Sequence, residues 1–187
     1  QLPASDVDGD GYTYAEELEA GTNPNSSLSK PSLMDGLLLW YPLDGNTSDM
    51  SGNDRHASLS NSNGSTSGFV SGKILKALDL DGVDDYLSVP HDSGLDLRRT
   101  LSLSMWLKLD AIPSTGYSAI MYKGAGNGGS SRTYSLWLEN GSRFIHSTSA
   151  DSTDQQNANS ANSAFTNNSW MHLVMLLDRY NGSIKVF

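Results

Sequence analysis

From residue 37 onward the apolar residues recur with a period of two, and no stretch carries the 3.6-residue period of a long amphipathic helix. The clearest case is residues 101–109. There Leu101, Leu103, Met105, Leu107 and Leu109 alternate with Ser102, Ser104, Trp106 and Lys108, the pattern of a strand with one buried face. The same reading predicts strands at 37–43, 57–60, 77–80, 86–89, 117–123, 133–139, 143–148, 170–177 and 183–187. Residues 170–177 are apolar on both faces, Met171, Leu173, Met175 and Leu177 against Trp170, Val174 and Leu176, which predicts a central strand covered on each side. Asp81-Gly82, Asn140-Gly141 and Asn181-Gly182 supply turns between such segments. Many short strands divided by turns predict an all-β, antiparallel two-sheet sandwich.

The first thirty residues break this pattern. They hold six acids (Asp6, Asp8, Asp10, Glu16, Glu17 and Glu19) against one base, Lys30, and so carry over half of the chain's net charge of −9. A short helix is expected at 14–20, stopped by Gly21 as the residue after its last turn and by Pro24. The Asn-, Ser- and Pro-rich stretch that follows reads as turn and linker, because Pro fixes its own φ and keeps the residue before it out of helix. A boundary is therefore expected within 25–34, dividing a unit at 1–30 from one at 35–187.

Within the acidic unit, Asp6-Val7-Asp8-Gly9-Asp10-Gly11-Tyr12-Thr13-Tyr14-Ala15-Glu16-Glu17 matches the twelve-residue calcium loop. Alternate carboxylates of Asp6, Asp8 and Asp10 on a tight turn converge on one point, and Gly11 supplies the bend. Tyr12 offers its backbone carbonyl, and Glu17 closes the shell with both oxygens. Without a cation, three carboxylates held so close repel one another. The expected cofactor is therefore Ca²⁺. Position nine of the loop is Tyr14, so water is the expected ligand there. Too few residues precede the loop, with Pro3 among them, to form the entering helix of a paired EF-hand.

Composition narrows the rest. With no Cys, disulfide scaffolds, cysteine metal sites and cysteine nucleophiles are excluded. No apolar run reaches the ~18 residues of a membrane span, which implies a soluble chain without membrane insertion, any signal peptide being removed or lying upstream in a longer parent. An acidic balance without a Lys/Arg cluster argues against nucleic acid, whose affinity rests on neutralising phosphates.

Two resemblances add to this reading. Asp8-Gly9-Asp10-Gly11, Glu16-Glu17 and Ala20-Gly21-Thr22-Asn23-Pro24 resemble a thrombospondin type 3 repeat of bacterial secreted proteins, which implies a stiff, calcium-filled spacer between domains. A dockerin-like half-motif is the alternative, but a dockerin carries two such loops. Farther on, Leu39-Trp40-Tyr41-Pro42-Leu43-Asp44-Gly45-Asn46, Asp49-Met50-Ser51-Gly52-Asn53, residues 76–87, residues 101–108 and Trp170-Met171-His172-Leu173-Val174 resemble, in order, the laminin-G-like, concanavalin A-like jelly roll. That resemblance implies a lectin-like sandwich over 35–187 used for glycan binding, adhesion or spacing in secreted proteins, often with a structural calcium. It also implies further strands after 183–187. Either the parent runs on past Phe187, or the sandwich exposes an edge able to recruit another chain.

Concanavalin-like sandwiches include glycosidases, which need two carboxylates flanking the scissile bond. Residues 31–187 contain one Glu, Glu139, and neither a Glu-x-Asp-x-x-Glu strand nor a Gly-x-Ser-x-Gly turn. His56, His91, His146 and His172 lie without metal spacing; His56 reads as exposed and His172 as a satisfied sheet histidine. The chain is therefore expected not to be an enzyme.

Glycan binding calls for aromatic platforms beside hydroxyl-bearing side chains. Trp106, with Ser102, Ser104 and Lys108, and Trp137, with Ser135 and Glu139, are the ligand-binding candidates and are expected to line one concave sheet. The polar stretch 151–168 reads as too polar for core and as a binding or mobile loop. A second calcium is expected around Asp44 and Asp49, whereas Asp79, Asp81, Asp84 and Asp85 read as turn formers. Asn-x-Ser/Thr sequons at Asn25, Asn46, Asn63, Asn140, Asn167 and Asn181 would suggest glycosylation in a eukaryote, but in so Ser- and Asn-rich a chain chance explains most of them. The resulting expectation is a calcium-binding, non-catalytic, extracellular or cell-surface module that adheres to a glycan or an extracellular protein. The alternative is a structural subunit of an extracellular filament or surface layer, packing on copies of itself through its sandwich edge.

Overall fold

The structure, a computed structural model, describes residues 5–29, 36–60, 68–111, 116–124, 132–139, 144–150, 155–159, 165–178 and 183–186. Contacts divide the chain into two units, Gln1–Pro90 and His91–Phe187. The linker boundary expected within 25–34 falls inside the first of these, and residues 30–35 lie outside the described residues.

In the first unit, α1 (Tyr14–Ala20) is the helix that the sequence predicts. Thr13 caps it, accepting the Glu16 N–H on its hydroxyl while the Glu16 carboxylate takes the Thr13 N–H at 2.8 Å, a reciprocal capping box. Gly21, at φ 74°, ends it in the left-handed conformation that glycine adopts without penalty. Strands β1 (Ser58–Ser60) and β4 (Tyr86–Ser88) pair antiparallel, and β2 (Gly68–Ser71) forms a hairpin with β3 (Lys76–Asp79).

The strand expected at 37–43 is not one. Its backbone groups bond instead to the side chains of the following loop: Trp40 N–H to Asp49, and the Leu37 and Leu38 carbonyls to Asn53 and Arg55. The period of two marks extended backbone there, and the partner is a loop rather than a neighbouring strand.

In the second unit two antiparallel sheets share a core. One runs in the order β11 (Ser183–Val186), β10 (Met171–Asp178), β5 (Thr100–Leu107). The other runs β6 (Tyr117–Gly124), β7 (Arg132–Glu139), β8 (Phe144–Ala150), β9 (Gln155–Asn159). Leu136 and Leu138 of β7 pack with Leu173 and Met175 of β10 and with Phe165. The Leu101, Leu103, Met105, Leu107 and Leu109 row joins them, as its alternation predicts, together with Ile120 and Met121 of β6. This is the sandwich expected from the pattern, with little helix in the described residues.

Two expectations are corrected here. β10 is central within its sheet, bonded to β5 and β11, but only its Leu173, Met175 and Leu177 face is covered; Leu176 on the other is 38% exposed. The stretch 151–168, expected to be all loop, contains β9 and places Phe165, 3% exposed, in the core. Among the described residues β9 ends its sheet, held by its pairing to β8, and an end strand is formed by that pairing rather than by its own apolar pattern.

Candidate functional site

The acidic loop is organised by Asp6. Its Oδ1 accepts the N–H groups of Gly9 at 2.7 Å and Asp10 at 3.2 Å, and its Oδ2 accepts that of Gly11 at 2.9 Å. Gly11 sits at φ 101°, which a side chain would strain. These donors, Gly11's first, hold the Asp6 carboxyl below its usual range despite the opposing effect of desolvation. Asp10 Oδ1 accepts the Tyr12 N–H at 3.0 Å, and the Ser5 carbonyl accepts the Tyr14 N–H at 3.1 Å, closing the loop onto α1.

Carboxylate oxygens of Asp6, Asp8 and Asp10 thereby come within 4.8 Å of one another. Glu17, on the first turns of α1, is 0% exposed. Both oxygens of Asp8, Oδ2 of Asp10 and Oε2 of Glu17 are shielded from solvent with no hydrogen-bond donor. Buried carboxylate oxygens without donors are costly unless a cation meets them. Burial first, then the charges of Asp8 and Asp10, push the Glu17 carboxyl up. This donor set fits a hard, oxygen-seeking cation, with the converging Asp6, Asp8 and Asp10 and the donorless Glu17 as the residues that would hold it. Glu16 is engaged differently, since the capping box holds its carboxylate.

Asp44 and Asp49 are arranged otherwise. Asp49, 5% exposed, accepts the Trp40 and Ser51 N–H groups on Oδ1 and the Ser51 hydroxyl and Arg55 N–H on Oδ2. Burial alone would raise its pKa, but the Trp40, Ser51 and Arg55 donors outweigh it and hold the carboxyl down at about 2. Asp49's own N–H is accepted by Nδ1 of the exposed His56. Asp44 accepts the Lys76 N–H at 2.8 Å. Four donors account for Asp49's burial without a cation. Among the described residues the second convergent acidic group is Asp81, Asp84 and Asp85, expected from the sequence to be turn formers. They do form a turn: Asp81 accepts the Val83 and Asp84 N–H groups, and Asp85 accepts the Asp81 N–H.

Trp106 and Trp137 do not share a face, because they stand on different sheets of the second unit. Trp106, 44% exposed, points away from the core on β5 and packs its ring 5.1 Å from that of His172, its neighbour on β10. The exposed His172 meets the Ser104 hydroxyl at 2.8 Å, so it is a satisfied sheet histidine, on the outer face. Lys108 lies 5.8 Å over the Trp170 ring, extending the same row of side chains. Trp137 is braced instead. Its Nε1–H donates to Ser135, itself 0% exposed, at 2.7 Å; Tyr122 meets it edge-on at 5.9 Å, and Arg132 lies 4.9 Å over its ring. The alternation of β5 foretells the outward Trp106; nothing in the sequence tells that His172 is its partner, because that depends on the β5–β10 register.

No described helix is long and apolar enough to cross a membrane. The family model of bacterial TSP3 repeats matches residues 6–27, which include the whole acidic loop. No curated protein and no solved structure matches the chain. A second family model, of the laminin G type, matches residues 81–187, more than half of the chain, and includes both sheets of the sandwich. By that match the chain belongs to the concanavalin A-like lectin/glucanases superfamily.

Proposed function

We propose that this chain is a calcium-binding, non-catalytic module of a secreted or cell-surface multidomain protein, a spacer at 1–30 followed by a lectin-like sandwich at 35–187, that adheres to glycans or to extracellular protein. The observation that carries the calcium part is the set of donorless, solvent-shielded oxygens on Asp8, Asp10 and Glu17 inside a loop matched by the TSP3 repeat. Loops of this kind in extracellular modules hold calcium at roughly 10⁻⁴ to 10⁻³ M, so about 5 mM calcium adds roughly 1 to 2 kcal/mol to the folded state. Calorimetric titration and thermal unfolding with calcium and with chelator test this. Binding and a calcium-dependent rise in melting temperature, both lost in Asp8→Ala, are the expected result; a chain indifferent to calcium removes the metal reading.

The adhesive part is supported by Trp106, His172, Ser104 and Lys108 on one outer face. A sugar presents a C–H face to an aromatic ring and hydroxyls to imidazole and serine. On a glycan array, binding that disappears in Trp106→Ala supports the reading, and binding indifferent to that change sends the search to another surface.

The structural-subunit reading draws on one observation: β5 ends its sheet, so among the described residues its outer edge pairs with no strand. Ordered self-association insensitive to free sugar would favour it.

A further inference from the structure

The acidic loop and the turn that leaves α1 are joined through one side chain. Thr22 follows the Gly21 cap, and its hydroxyl lies 3.3 Å from Glu17 Oε1 and 3.2 Å from the Glu17 carbonyl. Its backbone N–H donates to that same carbonyl at 2.9 Å. Glu17 is fully buried, and its two oxygens differ: Oε1 has the Thr22 hydroxyl, whereas Oε2 has no donor and is shut off from solvent along with those of Asp8 and Asp10.

We propose that Thr22 is a positioning residue for the cation site, its hydroxyl orienting the Glu17 carboxylate so that Oε2 is presented to the cation with Asp8 and Asp10. The inference rests on the calcium reading above and adds to it a residue outside the twelve-residue loop. The physical reason lies in the freedom of a glutamate. Its last torsion is broad, so the carboxylate plane on a helix is poorly fixed by the backbone alone. A donor on one oxygen fixes that plane before the cation arrives, and partners of this kind behind a ligand tune metal affinity about 10- to 100-fold. Thr22 is suited to the task because the αL cap at Gly21 turns the chain back over the last turn of α1, where its hydroxyl reaches residue 17. The cap does not need that hydroxyl, since the Gly21 N–H to Leu18 and the Thr22 N–H to Glu17 are backbone bonds.

Calorimetric calcium titration of the full chain tests this with Thr22→Val, which keeps the branched shape and removes the donor, and Thr22→Ser, which restores it. The expected result is a Kd about tenfold higher in Thr22→Val and a return to the unmodified affinity in Thr22→Ser. Added to Glu17→Gln, Thr22→Val should change the Kd no further, because the two act through one group. A purely structural role would instead lower the calcium-free melting temperature and give losses that add. Equal calcium affinity in Thr22→Val, or additive losses in the double variant, overturns the assignment while leaving the calcium site in place. An unmodified chain that takes up no calcium overturns both the assignment and the reading on which it rests.

Discussion

Asp49 binds the backbone N–H of Trp40 at 2.9 Å, and the Trp40 carbonyl in turn accepts the N–H of Met50 at 2.8 Å, so one acidic residue and its neighbour lash an extended segment to the loop that follows it. The same carboxylate takes Ser51 and Arg55, and the Tyr41 hydroxyl donates to the Arg55 carbonyl.

That arrangement makes stability depend on acid. The Asp49 pKa is about 2 in the folded chain, below the 3.8 of a free aspartate, so the folded state prefers the ionised form. Its contribution is complete well above pH 3.8 and is lost as pH falls through about 2. A shift of this size links to stability on the order of 2 kcal/mol. In Asp49→Asn, the amide N–H₂ would face donors where an oxygen accepts now. The variant should lose about 1 to 3 kcal/mol at neutral pH and show a flatter acid limb. Chemical denaturation between about pH 2 and 7 measures both, since the linkage acts across the acid range; an unchanged acid limb would show that Asp49 is not the group responsible.

The hairpin of the first unit yields a steric prediction. A Cβ at Gly72 would stand 2.5 Å from the Lys76 carbonyl oxygen and 2.6 Å from its carbon, both backbone atoms that a side-chain rotation cannot relieve. Gly72 N–H bonds the Leu75 carbonyl at 2.9 Å across that turn, so the chain must stay close there. Gly72→Ala should destabilise by about 1 to 3 kcal/mol, as overpacking does. Hydrogen exchange is expected to rise first in β2 and β3; unaltered protection of both would contradict the contact.

Core positions divide by face in a way that denaturation can read. Leu136 is 0% exposed and Leu176 38%. Leu136→Ala should cost about 2 to 5 kcal/mol, whereas Leu176→Ala should cost well under that, because solvent already reaches it. Similar losses at the two sites would mean that the outer face of β10 is covered in solution.

The same two faces show how far the sequence is readable. The row Leu101 to Leu109 announces its core-facing, half-buried side because polar residues alternate with it. β10 does not, because Val174 and Leu176 are apolar on a face that the structure leaves partly open, and exposed apolar residues are common on folded proteins. Likewise Gln155–Asn159 carries no strand signal, since an end strand is made by pairing to β8 and not by its own composition. The convergence of Asp6, Asp8 and Asp10 is legible, because local spacing sets it. Thr22 is not, because its reach to Glu17 depends on the handedness of the Gly21 cap.

The two tryptophans should part company under mutation. Trp106 is 44% exposed and rests its ring on that of His172, so Trp106→Ala removes an aromatic pair worth about 0.5 to 1.5 kcal/mol beyond the area that the ring covers. Trp137 covers the fully buried Ser135, donates to its hydroxyl, and stands between Tyr122 and Arg132. Its truncation removes the ring together with its contacts to Ser135, Tyr122 and Arg132, and should cost more than that of Trp106, about 2 to 3 kcal/mol. Ligand binding should respond in the opposite order. A glycan that stacks on the outer face of β5 and β10 loses its platform in Trp106→Ala at nearly native stability, while Trp137→Ala, studied well below its melting temperature, keeps that platform intact. If Trp137→Ala alone abolished binding at full folding, the ligand surface would lie on the four-stranded sheet, and the Trp106 face would need another explanation for its exposed rings.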